Sequence, residues 1–170
     1  MDFKKFIESQ ELSDHPIGLG GCRNMDYFFD SCDYDIMVFD ENRSNREVIS
    51  FENNLVTLHH ASLSETNTKK LLQYDNLKIL QDASWNLKIF LSKISEKRNS
   101  LFSDFAKNSL IESIFCCQKT KDGIQNDDVF ASCWQKCASY YLADAISSLN
   151  NSPSSPSHLL DSLRKFEKTS

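Results

Sequence analysis

Glycine and proline are scarce, with four and three copies in 170 residues. Few points along the chain therefore force a break in regular structure. An excess of positive charge is also missing. Nineteen Lys and Arg stand against 24 Asp and Glu, a net charge of −5, with a pI of about 5.3. A broad basic face for duplex nucleic acid is not expected from that balance. A local basic groove stays compatible with it, because net charge says nothing about distribution. No apolar run is long enough to span a bilayer, and Met1-Asp2-Phe3-Lys4-Lys5-Phe6 opens no signal-peptide core. The expectation is a cytoplasmic protein without membrane contact, its six Cys held as reduced thiols. No Cys-x-x-Cys knuckle, internal repeat or heptad pattern is present.

What is there suits a folded chain: 40% apolar and 25% charged residues, with twelve Phe and two Trp to fill a core. The length fits one compact domain, or a small α/β unit with a helical appendage. Residues 1–63 hold every Gly but Gly123 and carry short apolar runs. Phe3, Phe6 and Ile7 have helical spacing. Pro16-Ile17-Gly18-Leu19 reads as a short strand running into Gly20-Gly21, and Tyr34 to Phe39 as an apolar strand ended by the polar run Asp40 to Asn45. Glu47 to Phe51 and Leu55 to His59 read as a hairpin around Glu52-Asn53-Asn54, since Asn tolerates left-handed turn conformations.

Residues 64–170 read as successive helices. Leu71, Leu72, Leu77 and Leu80 fall in the first. Trp85, Leu87, Phe90, Leu91 and Ile94 form the stripe of the second. Phe102, Phe105, Ala106, Leu110, Ile114 and Phe115 mark the third. Val129, Phe130, Cys133, Trp134, Cys137, Tyr140 and Tyr141 mark the fourth, capped by Asn126-Asp127-Asp128. A linker, Asn150 to Pro156, precedes a last short helix with Leu159, Leu160, Leu163 and Phe166.

One constellation carries chemistry. A strand ends in Gly20-Gly21, and Asp33 and Asp35 open the next strand two residues apart. Side chains at that spacing on a strand share a face. Two carboxylates there suit a hard divalent ion, Mg²⁺ or Mn²⁺, which bridges to phosphate oxygens. Glycine amides approach phosphate closely, and Arg23 is placed to add a cationic contact.

The stretch GGCRNMDYFFDSCDYDIMVFDE resembles the DNA polymerase beta-like nucleotidyltransferase superfamily, in particular its small prokaryotic members. The pattern there is Gly-Gly or Gly-Ser, about a dozen residues, then Asp-x-Asp in a strand. Gly20, Gly21, Arg23 and Ser31 match its nucleotide-binding positions, and Asp33 and Asp35 its metal-binding, catalytic pair. The likeness covers about residues 14–60. It implies an α+β (α/β) fold, with a small mixed-sheet nucleotidyltransferase-like domain at 1–63. A helical domain follows at 64–149, and a linker with a short helix at 150–170. The activity implied is metal-dependent transfer of a nucleoside monophosphate from an NTP to an acceptor: RNA, a protein side chain or a small molecule such as an aminoglycoside. A protein partner or a second copy of the chain belongs to the same picture.

The chain departs from the pattern where a later strand ordinarily brings a third carboxylate. Leu55 to His60 reads Leu-Val-Thr-Leu-His-His, so Thr57 or His59 stands where an acid is expected, and Glu47 and Glu52 are the nearest acids. The alternative is a catalytically inactive binding or antitoxin-like module on the same fold. Asp26 and Asp30 make the intervening segment unusually acidic, and Arg98 lacks the His that an Arg-x(4–6)-His RNase motif requires. Neighbouring strand side chains face opposite ways, so His59 and His60 do not share a metal, and His59 is expected near Asp35. Cys116, Cys117, Cys133 and Cys137 read as small core hydrophobes. Trp85, Trp134, Tyr140 and Tyr141 read as helix-packing residues, and Lys93, Lys97 and Arg98 as cations at a helix end.

Overall fold

The structure, a computed structural model, describes residues 1–25, 28–41, 46–152 and 158–166. Asp26, the end of the polar run at 42–45 and the Pro-containing linker at 153–157 lie outside the described residues. The fold is a mixed α+β one in two compact units, Met1–Arg98 and Asn99–Ser170.

The first unit opens with helix α1, Phe3–Ser9, whose N-cap Asp2 accepts from the Lys5 amide. Strands β1 (Ile17–Gly20), β2 (Tyr34–Phe39), β3 (Arg46–Phe51), β4 (Asn54–Ala61) and β5 (Lys78–Gln81) form one sheet in the order β3-β4-β2-β1-β5. β2 and β4 are parallel, and the other neighbours antiparallel. The expected hairpin is β3-β4. Glu52 and Asn53 form its two-residue loop, both with positive φ, as a type I′ turn demands.

Register assigns the two faces. Ile17 and Leu19 sit opposite Val38 and Ile36, and Tyr34 and Ile36 opposite Val56 and Leu58. That face packs on Phe6 and Ile7 of α1 to make the core. Each fully buried Ile, Val or Phe there contributes about 1.5–3 kcal/mol. The opposite face carries Gly18, Gly20, Asp35, Met37, Thr57 and His59. Its far end is covered by helices α2 (Thr68–Gln73) and α3 (Asn86–Glu96). Phe39 meets Tyr74 and Phe90 edge-on at 5.5 and 5.9 Å, and Leu77 sits where a Cβ on Gly18 would be.

Two expectations are corrected here. Leu71 to Leu80 is not one helix: α2 ends at Gln73, and Leu80 lies in β5 beside β1. Residues 64–98 fall in the same compact unit as the sheet. Trp85 is not packed. It precedes α3 with φ +62 and is 61% exposed, its ring under Lys88.

The second unit contains α4 (Arg98–Gln125, from its second residue), α5 (Ala131–Leu149) and α6 (Leu159–Lys165). Asp128 accepts from the Phe130 amide just before α5. The helices fall where expected, and their faces do so only in part. α4 buries Phe102, Ala106, Ser109, Ser113, Cys116 and Gly123, while Leu110, Ile114 and Phe115 are exposed. α5 buries Ala138, Ala143, Ala145, Ser147 and Ser148. Cys117, Cys133, Cys137, Val129, Phe130 and Tyr140 are exposed rather than packed. The reason is close approach. A Cβ on Gly123 would lie 3.1 Å from Ala131 Cβ, and Ser113 Oγ donates to the Ala138 carbonyl at 2.9 Å. Only small side chains fit such a seam. Among the described residues, no helix is long and apolar enough to cross a membrane.

Candidate functional site

The exposed half of the sheet's second face gathers the residues that the motif singles out. Gly20 closes β1 opposite Asp35 of β2. Gly21 follows with φ +66, a left-handed conformation natural to glycine. A Cβ there would fall 2.0 Å from Asp35 Oδ2. Gly21 is thus the residue that lets the Asp35 carboxylate lie against the backbone. A 3₁₀ turn, Cys22–Asn24, follows. Asn24 donates its side-chain amide to the Asn76 carbonyl, fastening this turn to the segment before β5.

Asp33 precedes β2 and turns to the same side as Asp35. Thr57 Oγ1 donates to Asp33 Oδ2 at 2.5 Å, and His59 Nε2 lies 2.8 Å from Asp35 Oδ1. Thr57 is buried, whereas the His59 and Asp35 side chains keep 29% and 22% of their surface exposed. Both residues that stand in place of an acid therefore touch the Asp pair, one each. His60 points the other way, as alternation requires, and pairs with Asp40 at 2.7 Å. Glu52 lies in the hairpin turn with Lys5, and Glu47 is in register with Leu58, on the α1 face. Among the described residues, no three acid, His or Cys ligand atoms that include Asp33 or Asp35 lie within 4.8 Å of one another. Asp33 Oδ1 and Asp35 Oδ2 accept no hydrogen bond from the described residues.

Arg23 has a place that the motif does not reveal. Its Nε donates to the Cys32 carbonyl at 2.9 Å and an Nη to the Asp30 carbonyl at 3.1 Å. The guanidinium lies 4.5 Å from the Phe28 ring centroid and 5.0 Å from that of Tyr34. It fastens the loop that leads into Asp33. Ser31 is exposed on that loop. Burial, and then a hydrogen bond to Cys32, pushes the Cys22 thiol up to about 12; it stays protonated at neutral pH. Arg46, at the end of the polar run, is in register with His59 and so shares the face of the Asp pair. No composition or spacing signal distinguishes it from its polar neighbours. Arg98, read as a helix-end cation, donates from Nε to both oxygens of the almost fully buried Asp75, at 3.0 and 2.9 Å.

No protein-family model matches the chain, and no curated protein matches it significantly. Among solved structures, a nucleotidyltransferase-like protein from Exiguobacterium sibiricum 255-15 is similar at 13% identity, with a TM-score of 0.49. The match covers 95% of this chain and 61% of that one, so the chain spans less than two thirds of that protein's length.

Proposed function

We propose that the Asp33–Asp35 face binds a nucleoside triphosphate with a divalent metal and transfers its nucleoside monophosphate to an acceptor. The observation that carries this reading is the seat of Asp35 on Gly21. A left-handed glycine keeps clear the space that the carboxylate occupies, while a second carboxylate stands beside it.

The donor set suits Mg²⁺ or Mn²⁺. Asp33 and Asp35 each spend one oxygen on a neutral or histidine partner and retain one, and hard cations favour carboxylate oxygen. Asp33 and Asp35 would hold the ion, which would neutralise charge on phosphate oxygens during in-line attack. Thr57 and His59 orient the two carboxylates. Gly20 and Gly21 give the triphosphate access to backbone amides. Arg23 serves the site by holding the Asp30–Cys32 loop, with Ser31 at the rim.

A second reading has its own observation. Thr57 and His59 occupy the place of the third carboxylate, and neither is an acid. On that basis the chain binds nucleotide without transferring it, as a binding or antitoxin-like module. A transfer assay with labelled NTP, run over RNA, protein and small-molecule acceptors, separates the two. Label on any acceptor, lost in Asp35→Asn, supports transfer. Nucleotide binding with no label anywhere supports the module. Absence of both binding and transfer refutes the site.

A further inference from the structure

The two thiols that bracket the candidate site are the strongest unassigned feature of the first unit. Cys22 directly follows Gly21, and Cys32 directly precedes Asp33. Their sulfurs lie within 4.8 Å of one another, although nine residues separate them in sequence. The backbones that carry them are already tied. Arg23, next to Cys22, donates to the carbonyl of Cys32 itself and to that of Asp30. Cys22 is buried beside the site and Cys32 is half-buried, so an oxidant reaches Cys32 first.

We propose that Cys22 and Cys32 form a reversible disulfide that closes the loop between Gly21 and Asp33 and lowers nucleotide binding. The oxidant is hydrogen peroxide. Cys32 Sγ attacks the peroxide oxygen, the O–O bond breaks, and water leaves, giving a sulfenic acid. Cys22 Sγ then displaces the sulfenic oxygen as a second water, carrying off the thiol proton. Two thiols lose two electrons and two hydrogens, and one peroxide becomes two waters. A disulfide bond spans about 2.05 Å and draws the two Cβ atoms to about 4 Å. It therefore ties the 3₁₀ turn covalently to the residue before Asp33. The effect on nucleotide rests on the site reading above; the cross-link does not.

The test treats the full chain with hydrogen peroxide and reads intact mass and peptide maps. A loss of two hydrogens, with Cys22 and Cys32 in one linked peptide and full reversal by dithiothreitol, is expected. Cys22→Ser and Cys32→Ser should each abolish that link. Oxygen addition at Cys32 without a link, or links confined to Cys116, Cys117, Cys133 or Cys137, overturns the proposal. Melting with and without Mg–NTP is measured on the same samples. Oxidation should at least halve the nucleotide-induced shift, dithiothreitol should restore it, and Cys22→Ser should keep it under peroxide. A formed link with an unchanged shift overturns the control of binding. No shift in the reduced protein counts against the site, while the mass still decides the link.

Discussion

The two units differ in the size of the side chains they mostly bury. In the first, the sheet and α1 bury large side chains: Phe6, Ile17, Ile36, Val38 and Val56 are all fully enclosed. In the second, α4 and α5 bury Ser109, Ser113, Cys116, Ala138 and Ala143, and large apolar residues such as Ile111 and Ile114, each more than 60% exposed, face outward. Buried apolar area drives folding, so the first unit draws its stability from bulk. The second encloses mostly small side chains, with a hydroxyl bond from Ser113 to the Ala138 carbonyl among them. A heavy, well-filled core also explains why the site lies on the sheet. Asp35, Thr57 and His59 are fixed by strands whose other face is locked to α1, which is what a positioned carboxylate pair requires.

Truncating one large side chain in each unit breaks that contrast most visibly. Phe6→Ala empties a fully buried position and should cost about 3–5 kcal/mol. Ile111→Ala should change stability by no more than about 0.5 kcal/mol. Urea unfolding of the full chain measures both. Similar losses for the two would show that the outward face of α4 is not a solvent face. Next in size is Gly21→Ala. The new Cβ meets the Asp35 carboxylate in a left-handed backbone, so a loss of roughly 2–4 kcal/mol is expected, together with loss of Mg–NTP binding. Gly20→Ala, whose Cβ would lie 3.2 Å from Leu77 Cδ1, should be milder by the same urea unfolding.

These contrasts also show where the sequence was readable. β1 to β4 and the Glu52-Asn53 turn stood out because short apolar runs were bounded by residues suited to turns. Their register, which buries Ile17, Ile36 and Val56 together, comes from the structure. β5 escaped because four residues show no alternation, and Leu71, Leu72, Leu77 and Leu80 mimic helical spacing. What places Leu77 is the empty space over Gly18, a tertiary fact. Helix positions in the second unit were legible and their faces were not. Periodicity ranks Leu, Ile and Phe as inward; that holds for Phe102, whereas Leu110, Ile114 and Phe115 are exposed and Ser113, Cys116 and Ala138 are buried. In the site, strand alternation was enough to bring His59 to Asp35. The role of Arg23 as a loop fastener depends on Phe28, Tyr34 and two carbonyls, none of which has a sequence signature.

The smallest effect expected is a pH dependence in the first unit, at the N-terminus of α2. The Asn67 amide, the Lys70 ammonium at 3.0 Å and the Thr66 amide hold the Glu65 carboxyl down to about 2. A carboxyl lowered on folding stabilises the fold above its unfolded range of about 4.3. That contribution is lost as pH falls from there toward about 2. Glu65→Gln should therefore cost less than about 1 kcal/mol at pH 7, and its melting curve should converge on that of the wild type by pH 2–3. A difference that persists at acid pH would place the effect of Glu65 in packing instead.

The proposed role of Asp33 and Asp35 is to hold a metal–nucleotide complex. It is tested most directly by melting the wild type and Asp33→Asn/Asp35→Asn with Mg²⁺ alone, NTP alone and both. Asn keeps an oxygen for Thr57 and for His59, so the double variant should fold and melt within a few degrees of the wild type. Saturating Mg–NTP should raise the wild-type melting temperature by roughly 5 °C or more, with neither component sufficient alone, and should leave the double variant unmoved. A wild type indifferent to Mg–NTP, beside a double variant that melts well below it, would show that the acidic pair holds the fold and binds no nucleotide.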